Sequence, residues 1–174
     1  VAAQWTGDSK GFYLNIRPDN DGDCASCISF HVGDGGANNI CDIPAHSHGA
    51  LVAGVPYFFS AYYDVSETKC YISVNNGVVD SAARSGVPAD SNHTFHVGAA
   101  GACNCVWFDG RVGPLMRFTT LPTSGEWTAT YNDGIAMSCA QANTSLAGGT
   151  GVMSHCWQLD EFSGNALESD VTGN

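Results

Sequence analysis

Positive charge is scarce in this sequence. Its 174 residues include only six Lys or Arg against 17 Asp or Glu, a net charge of −11. Phosphate backbones are held by clustered cations, so nucleic acid is excluded as an expected partner. Charge of either sign is thin, at 13% of residues, and the runs of Ala, Leu, Glu and Lys that sustain long helices are missing. No apolar run approaches the ~18 residues that a membrane-crossing helix needs. A Gly-x-Ser-x-Gly elbow, a P-loop and a dinucleotide-binding fingerprint are also missing, which removes three common enzyme classes. Val1 carries neither Met nor a signal peptide, and the expectation is a mature product or a piece of a longer chain.

What is present is glycine, 21 residues of it, with polar uncharged, aromatic and β-branched residues. That is the composition of an all-β protein with many turns, long enough for one domain with a sizeable core. The eight cysteines are Cys24, Cys27, Cys41, Cys70, Cys103, Cys105, Cys139 and Cys156. An even count in a Lys-poor, Gly-rich chain points to disulfides and an oxidising compartment. On the order of a hundred pairings are possible, so connectivity is open. The rival reading is a zinc site from Cys24-x-x-Cys27 and Cys103-x-Cys105, but the second pair is too close for a structural knuckle. Asn92-His93-Thr94 and Asn143-Thr144-Ser145 are glycosylation sequons.

Alternation locates the strands. Phe12, Leu14 and Ile16 share one face, as do Ile28, Phe30 and Val32, with turns at Asp19–Gly22 and Asp34–Gly36. Residues 37–50, with His46 and His48, read as a polar loop. Residues 57–63 form an aromatic strand. Cys70, Ile72 and Val74 lead into Asn75-Asn76-Gly77 and back through Val78-Val79, the chemistry of a hairpin turn at positive φ. Further strands are expected over 94–99 and 112–119, Pro114 marking an edge or bulge. One short helix is expected from the capping box Thr123-Ser124-Gly125-Glu126, closing near Tyr131 with Gly134 placed for the C-terminal cap. Residues 141–156, rich in Gly, Ala, Ser and Thr, read as a linker. The expected fold is an all-β, two-sheet antiparallel β-sandwich of jelly-roll order with one short helix.

Several segments in this order resemble the second half of a concanavalin A-like, laminin-G-like module: Val74–Gly77, Val97-Gly98, Phe108–Gly113, Leu121–Glu126 and Tyr131–Gly134. Trp157-Gln158-Leu159-Asp160-Glu161-Phe162-Ser163-Gly164 resembles the strand that opens such a module, yet here it follows the closing helix. The expected organisation is a β-sandwich body over 1–140, a linker over 141–156, and an opening strand over 157–174 that completes this or a neighbouring module. The resemblance implies a fold more than a function, since its members bind glycans or proteins, accompany hydrolases or act as spacers. The Glu-x-Asp-x-x-Glu strand of the concanavalin-like glucanases is missing, so no enzyme is expected.

Two functions follow as expectations. The first is an extracellular, non-catalytic subunit of a fibre or filament. Trp157, Leu159 and Phe162 would insert into an identical neighbour by strand sharing, a head-to-tail contact that builds open polymers. The second is a glycan- or protein-binding module assisted by calcium, with Asp19, Asp21 and Asp23 as oxygen donors; the plainer reading of that cluster is an acidic turn. His46 and His48 would grip a metal together only on a strand and with a third ligand, so a polar loop is the simpler reading. The four tryptophans, Trp5, Trp107, Trp127 and Trp157, are read first as core and only second as sugar platforms.

Overall fold

A computed structural model describes residues 2–5, 10–17, 22–35, 39–83, 86–89, 95–97, 111–135 and 137–159. The chain divides into two compact units, Val1–Gly110 and Arg111–Asn174. Among the described residues strands dominate and every strand pairing is antiparallel. The chain is therefore all-β in class, with short helices described only in the second unit.

The described residues of the first unit form eight strands: β1 (Ala2–Trp5), β2 (Lys10–Ile16), β3 (Ile28–Asp34), β4 (Asn39–Pro44), β5 (Phe59–Asp64), β6 (Lys69–Val74), β7 (Val79–Ala83) and β8 (His96–Val97). They make a five-stranded sheet in the order β4-β3-β2-β1-β8 and a three-stranded sheet in the order β5-β6-β7. The expected alternation of Ile28, Phe30 and Val32 is realised. These residues join Cys41 and Ile43 of β4 and Cys70, Ile72 and Val74 of β6 in one apolar cluster. Both sheets therefore contribute to a single core, and the Cys41–Cys70 disulfide ties them together covalently.

The loop expected over residues 37–50 is corrected by β4. A β-bulge between Val32 and Gly33 breaks the register, so Ile40 and Cys41 both reach the core although they are sequence neighbours. That extra residue disturbs the alternation by which a strand is read. Gly86 packs over the bulge with φ of 137°, and a Cβ placed there would collide with Ile40 Cγ2. The hairpin expected at Asn75-Asn76 joins β6 to β7, and both asparagines adopt positive φ, 53° and 52°.

The second unit pairs β9 (Leu115–Thr120) with β10 (Val152–Trp157) and carries α1 (Ser124–Tyr131) and α2 (Cys139–Ser145). The capping box at Thr123 and Glu126 starts α1 as expected. Asn132 in left-handed geometry, not Gly134, closes it. Trp127 packs edge-on against Phe118 at 5.5 Å.

Residues 141–156 are not a linker: they carry most of α2 and of β10. The start of α2 is a second capping box, Ser138 with Gln141. Cys139, Ala142 and Leu146 are buried, and Cys139 is bonded to Cys156. A face built of small residues and one disulfide looks like linker composition until the bond is known. No helix is long and apolar enough to cross a membrane among the described residues.

Candidate functional site

Among the described residues two places concentrate chemistry, one on each sheet of the first unit. The three-stranded sheet turns Cys70, Ile72 and Val74 to the core, so the intervening residues occupy its other face. Register sets those residues in three rows across β5, β6 and β7: Ser60–Ser73–Val79, Tyr62–Tyr71–Ser81 and Asp64–Lys69–Ala83. The Tyr62 and Tyr71 rings stack at 4.6 Å with 16° between their planes. Both are half-buried, while Val79, Ser81 and Ala83 are exposed.

Carboxylates border this pair. Asp64 Oδ1 accepts from Ser66 N, Ser66 Oγ and Glu67 N, which fixes the turn between β5 and β6. The same hydrogen bonds hold the Asp64 carboxyl below the usual carboxylate range. Tyr71 donates to Glu67 Oε2, and Lys69 Nζ lies 3.4 Å from that oxygen. The bond to Glu67 pushes the Tyr71 phenol up to about 12. Burial, before any charge, raises the Tyr62 phenol.

The second place is a polar cluster on β2, β3 and β4, on the faces that alternate with the apolar core. Tyr13 pairs with His31 in register and stacks on it at 4.0 Å. Ser29 Oγ donates to Asn15 Oδ1 at 2.5 Å and lies 3.0 Å from His31 Nε2. His31 Nε2 is also 3.4 Å from Asp42 Oδ1, the oxygen that Arg17 Nη2 holds. Ser29 is fully buried and His31 is 5% exposed. Burial pushes the His31 imidazole down to about 4, against a smaller opposing pull from Asp42. It also raises the Tyr13 phenol to about 12, with Asp42 adding to the rise.

Serine, histidine and aspartate together invite comparison with a catalytic relay. In a relay, one imidazole nitrogen meets the nucleophile and the other meets the carboxylate. Here Ser29 and Asp42 both meet Nε2, and Nδ1 has no hydrogen-bond partner among the described residues. The Ser29 proton is also directed at Asn15. The arrangement fixes the three strands; it cannot pass a proton from serine to aspartate.

Asp23, the described member of the expected calcium set, has Oδ2 3.6 Å from Arg17 Nη1 and Oδ1 3.5 Å from His46 Nε2. Asp19 and Asp21 lie outside the described residues. His46 and His48 sit in a turn rather than on a strand, and His48 meets the edge of Tyr57 instead of a shared ligand. Among the described residues, no group of three or more His, Cys, Asp or Glu could hold a metal ion.

Cys24 is bonded to Cys27, Cys41 to Cys70 and Cys139 to Cys156. The CxxC pair of the zinc reading is thus a disulfide. These three disulfides fit an oxidising environment. Cys103 and Cys105 lie outside the described residues, as does Phe162. Trp157 pairs with Leu115 at the end of β10 and stacks on His155 at 5.3 Å. Leu159 follows with φ of 50°, and Gln158 Oε1 accepts from Cys139 N at the start of α2.

Neither place stands out in the sequence alone. Alternation puts Tyr71 opposite Cys70 and Ile72, but the tyrosine stack needs the pairing of β5 with β6. His31 is legible only as the off-face residue between Phe30 and Val32. The chain matches no family model, no curated protein and no solved structure.

Proposed function

We propose that this chain is an extracellular, non-catalytic recognition module that binds a glycan on the Tyr62–Tyr71 face of β5 and β6. The observation that carries the reading is the stacked tyrosine pair bordered by Asp64, Glu67 and Lys69. Aromatic ring faces pack against the C–H faces of sugars, and carboxylate and ammonium groups at the border serve the hydroxyls. A jelly-roll sandwich of concanavalin A-like or laminin-G-like kind is the architecture proposed with it, supported by two antiparallel sheets around one core. The disulfides support secretion or display at a cell surface.

Strand sharing in a filament has less support, because Trp157 already pairs with Leu115 within its own chain. A glycan array probed with the whole chain tests the proposal, with and without calcium. Wild type should bind a discrete set of glycans. Tyr62→Ala with Tyr71→Ala should weaken binding by at least about tenfold, the scale expected when two aromatic rings no longer pack on the sugar. A folded wild type that binds no glycan in either condition sinks the reading. Size-exclusion chromatography of the same sample separates it from self-assembly, which would give polymers.

A further inference from the structure

His31 has a hydrogen-bonding defect in a specific place. Ser29 commits its proton to Asn15, so its oxygen accepts from His31, which must carry its own proton on Nε2. The same N–H points towards Asp42 Oδ1. That leaves Nδ1 as a bare lone pair, buried and without a hydrogen-bond partner among the described residues. The neutral ring tolerates this arrangement, because a buried lone pair without a donor costs less than a buried charge without a partner. Nδ1 is the ring nitrogen left to take the next proton, and there it would become a buried cationic donor with no acceptor.

We propose that His31 is an acid-sensitive latch: protonation at Nδ1 breaks the network that fastens β2, β3 and β4 to the turn at residues 22–26. The groups facing His31 are Tyr13 and Arg17 from the β2 segment and Asp42 from β4; Asp23 and His46 stand one step further out, in turns. Asp42 cannot neutralise the new cation at no cost, since its Oδ1 already holds Arg17. Arg17 also reaches Asp23 with its side chain, and its backbone N–H donates to Cys27 O at 2.8 Å. Two cations competing for one carboxylate oxygen therefore loosen the disulfide-closed turn as well as the sheet. A histidine whose ring is held neutral when folded binds fewer protons than the unfolded chain between about pH 6.5 and 4. Stability is therefore complete above that window and is lost as the pH falls through it.

Amide hydrogen exchange on the whole chain, corrected for the intrinsic pH dependence, tests the latch. From pH 7 to pH 5, the opening constants of the Arg17 amide and of the β3 amides should rise about 20-fold, the factor that follows from folded and free values of about 4 and 6.5. The β5–β6 amides should rise less. His31→Gln, which does not titrate, should flatten the response, whereas Asp23→Asn should keep it. The direct titration of His31 by NMR gives the answer even if His31→Gln fails to fold: its midpoint should fall near 4, together with opening. The latch is overturned by any of three results: a midpoint near 6.5 with unchanged exchange, the same rise in His31→Gln, or an equal rise in β5–β6.

Discussion

Two cross-strand aromatic stacks in the first unit differ mainly in what surrounds them. Tyr13 faces His31 across β2 and β3 at 4.0 Å, and Tyr62 faces Tyr71 across β5 and β6 at 4.6 Å. Each stack is a register pair on the sheet face opposite the shared core. Yet His31 is 5% exposed while Tyr71 is half-buried. The Tyr13 and Tyr71 phenols reach the same value, about 12, by different routes. Burial leads at Tyr13, whereas one hydrogen bond to Glu67 leads at Tyr71. Stacking geometry alone therefore does not say whether a pair holds the fold or faces a ligand. The environment around it decides.

The largest effect should come from cutting the bond between the sheets that carry the two stacks. Replacing Cys41 and Cys70 together by Ser should cost about 3–4 kcal/mol, from loop entropy alone for a separation of 29 residues. Urea denaturation of the double variant against wild type measures it, and a loss below about 1 kcal/mol would mean that the shared core alone holds the sheets. Next, His31→Ala should cost about 3 kcal/mol, because it leaves a cavity beside Tyr13 and strips a donor from Ser29. Tyr62→Ala or Tyr71→Ala should each cost about 1 kcal/mol or less, the range of a single cross-strand pair. Equal costs at His31 and Tyr71 would abolish the contrast. The smallest effect is spectroscopic. Glu67→Gln should bring the Tyr71 phenol down towards 10 in an ultraviolet titration and leave Tyr13 where it is. A Tyr71 midpoint still near 12 would assign its shift to something other than Glu67.

Local signals were legible where they are self-contained. The faces of β2, β3 and β6, the Asn75-Asn76 turn and the Thr123–Glu126 capping box each need only a few neighbouring residues, and all appear in the structure. The Ser138–Gln141 box has the same form but is hidden among small residues. Its helix is anchored by the Cys139–Cys156 bond, and that partner lies 17 residues away. Ile40 was illegible for a related reason, since the bulge that buries it is defined by its pairing with β3. Of the expected site residues, Asp23 lies beside Arg17 and His46, Trp157 pairs with Leu115 of its own chain, and Leu159 follows with positive φ. Asp19, Asp21 and Phe162 lie outside the described residues.

By itself the sequence determined the β class, the acidic balance, and which side chains alternate to one side of each strand, because a strand's period of two is a property of the backbone. Only the tertiary structure decided which cysteines meet, which strands are neighbours, and which of two similar polar faces is sealed from water. Those outcomes depend on contacts between residues far apart in the chain. Burial, unlike alternation, cannot be read from a strand alone: it turns His31 into a neutral ring with an unmet nitrogen and leaves Tyr71 at a surface.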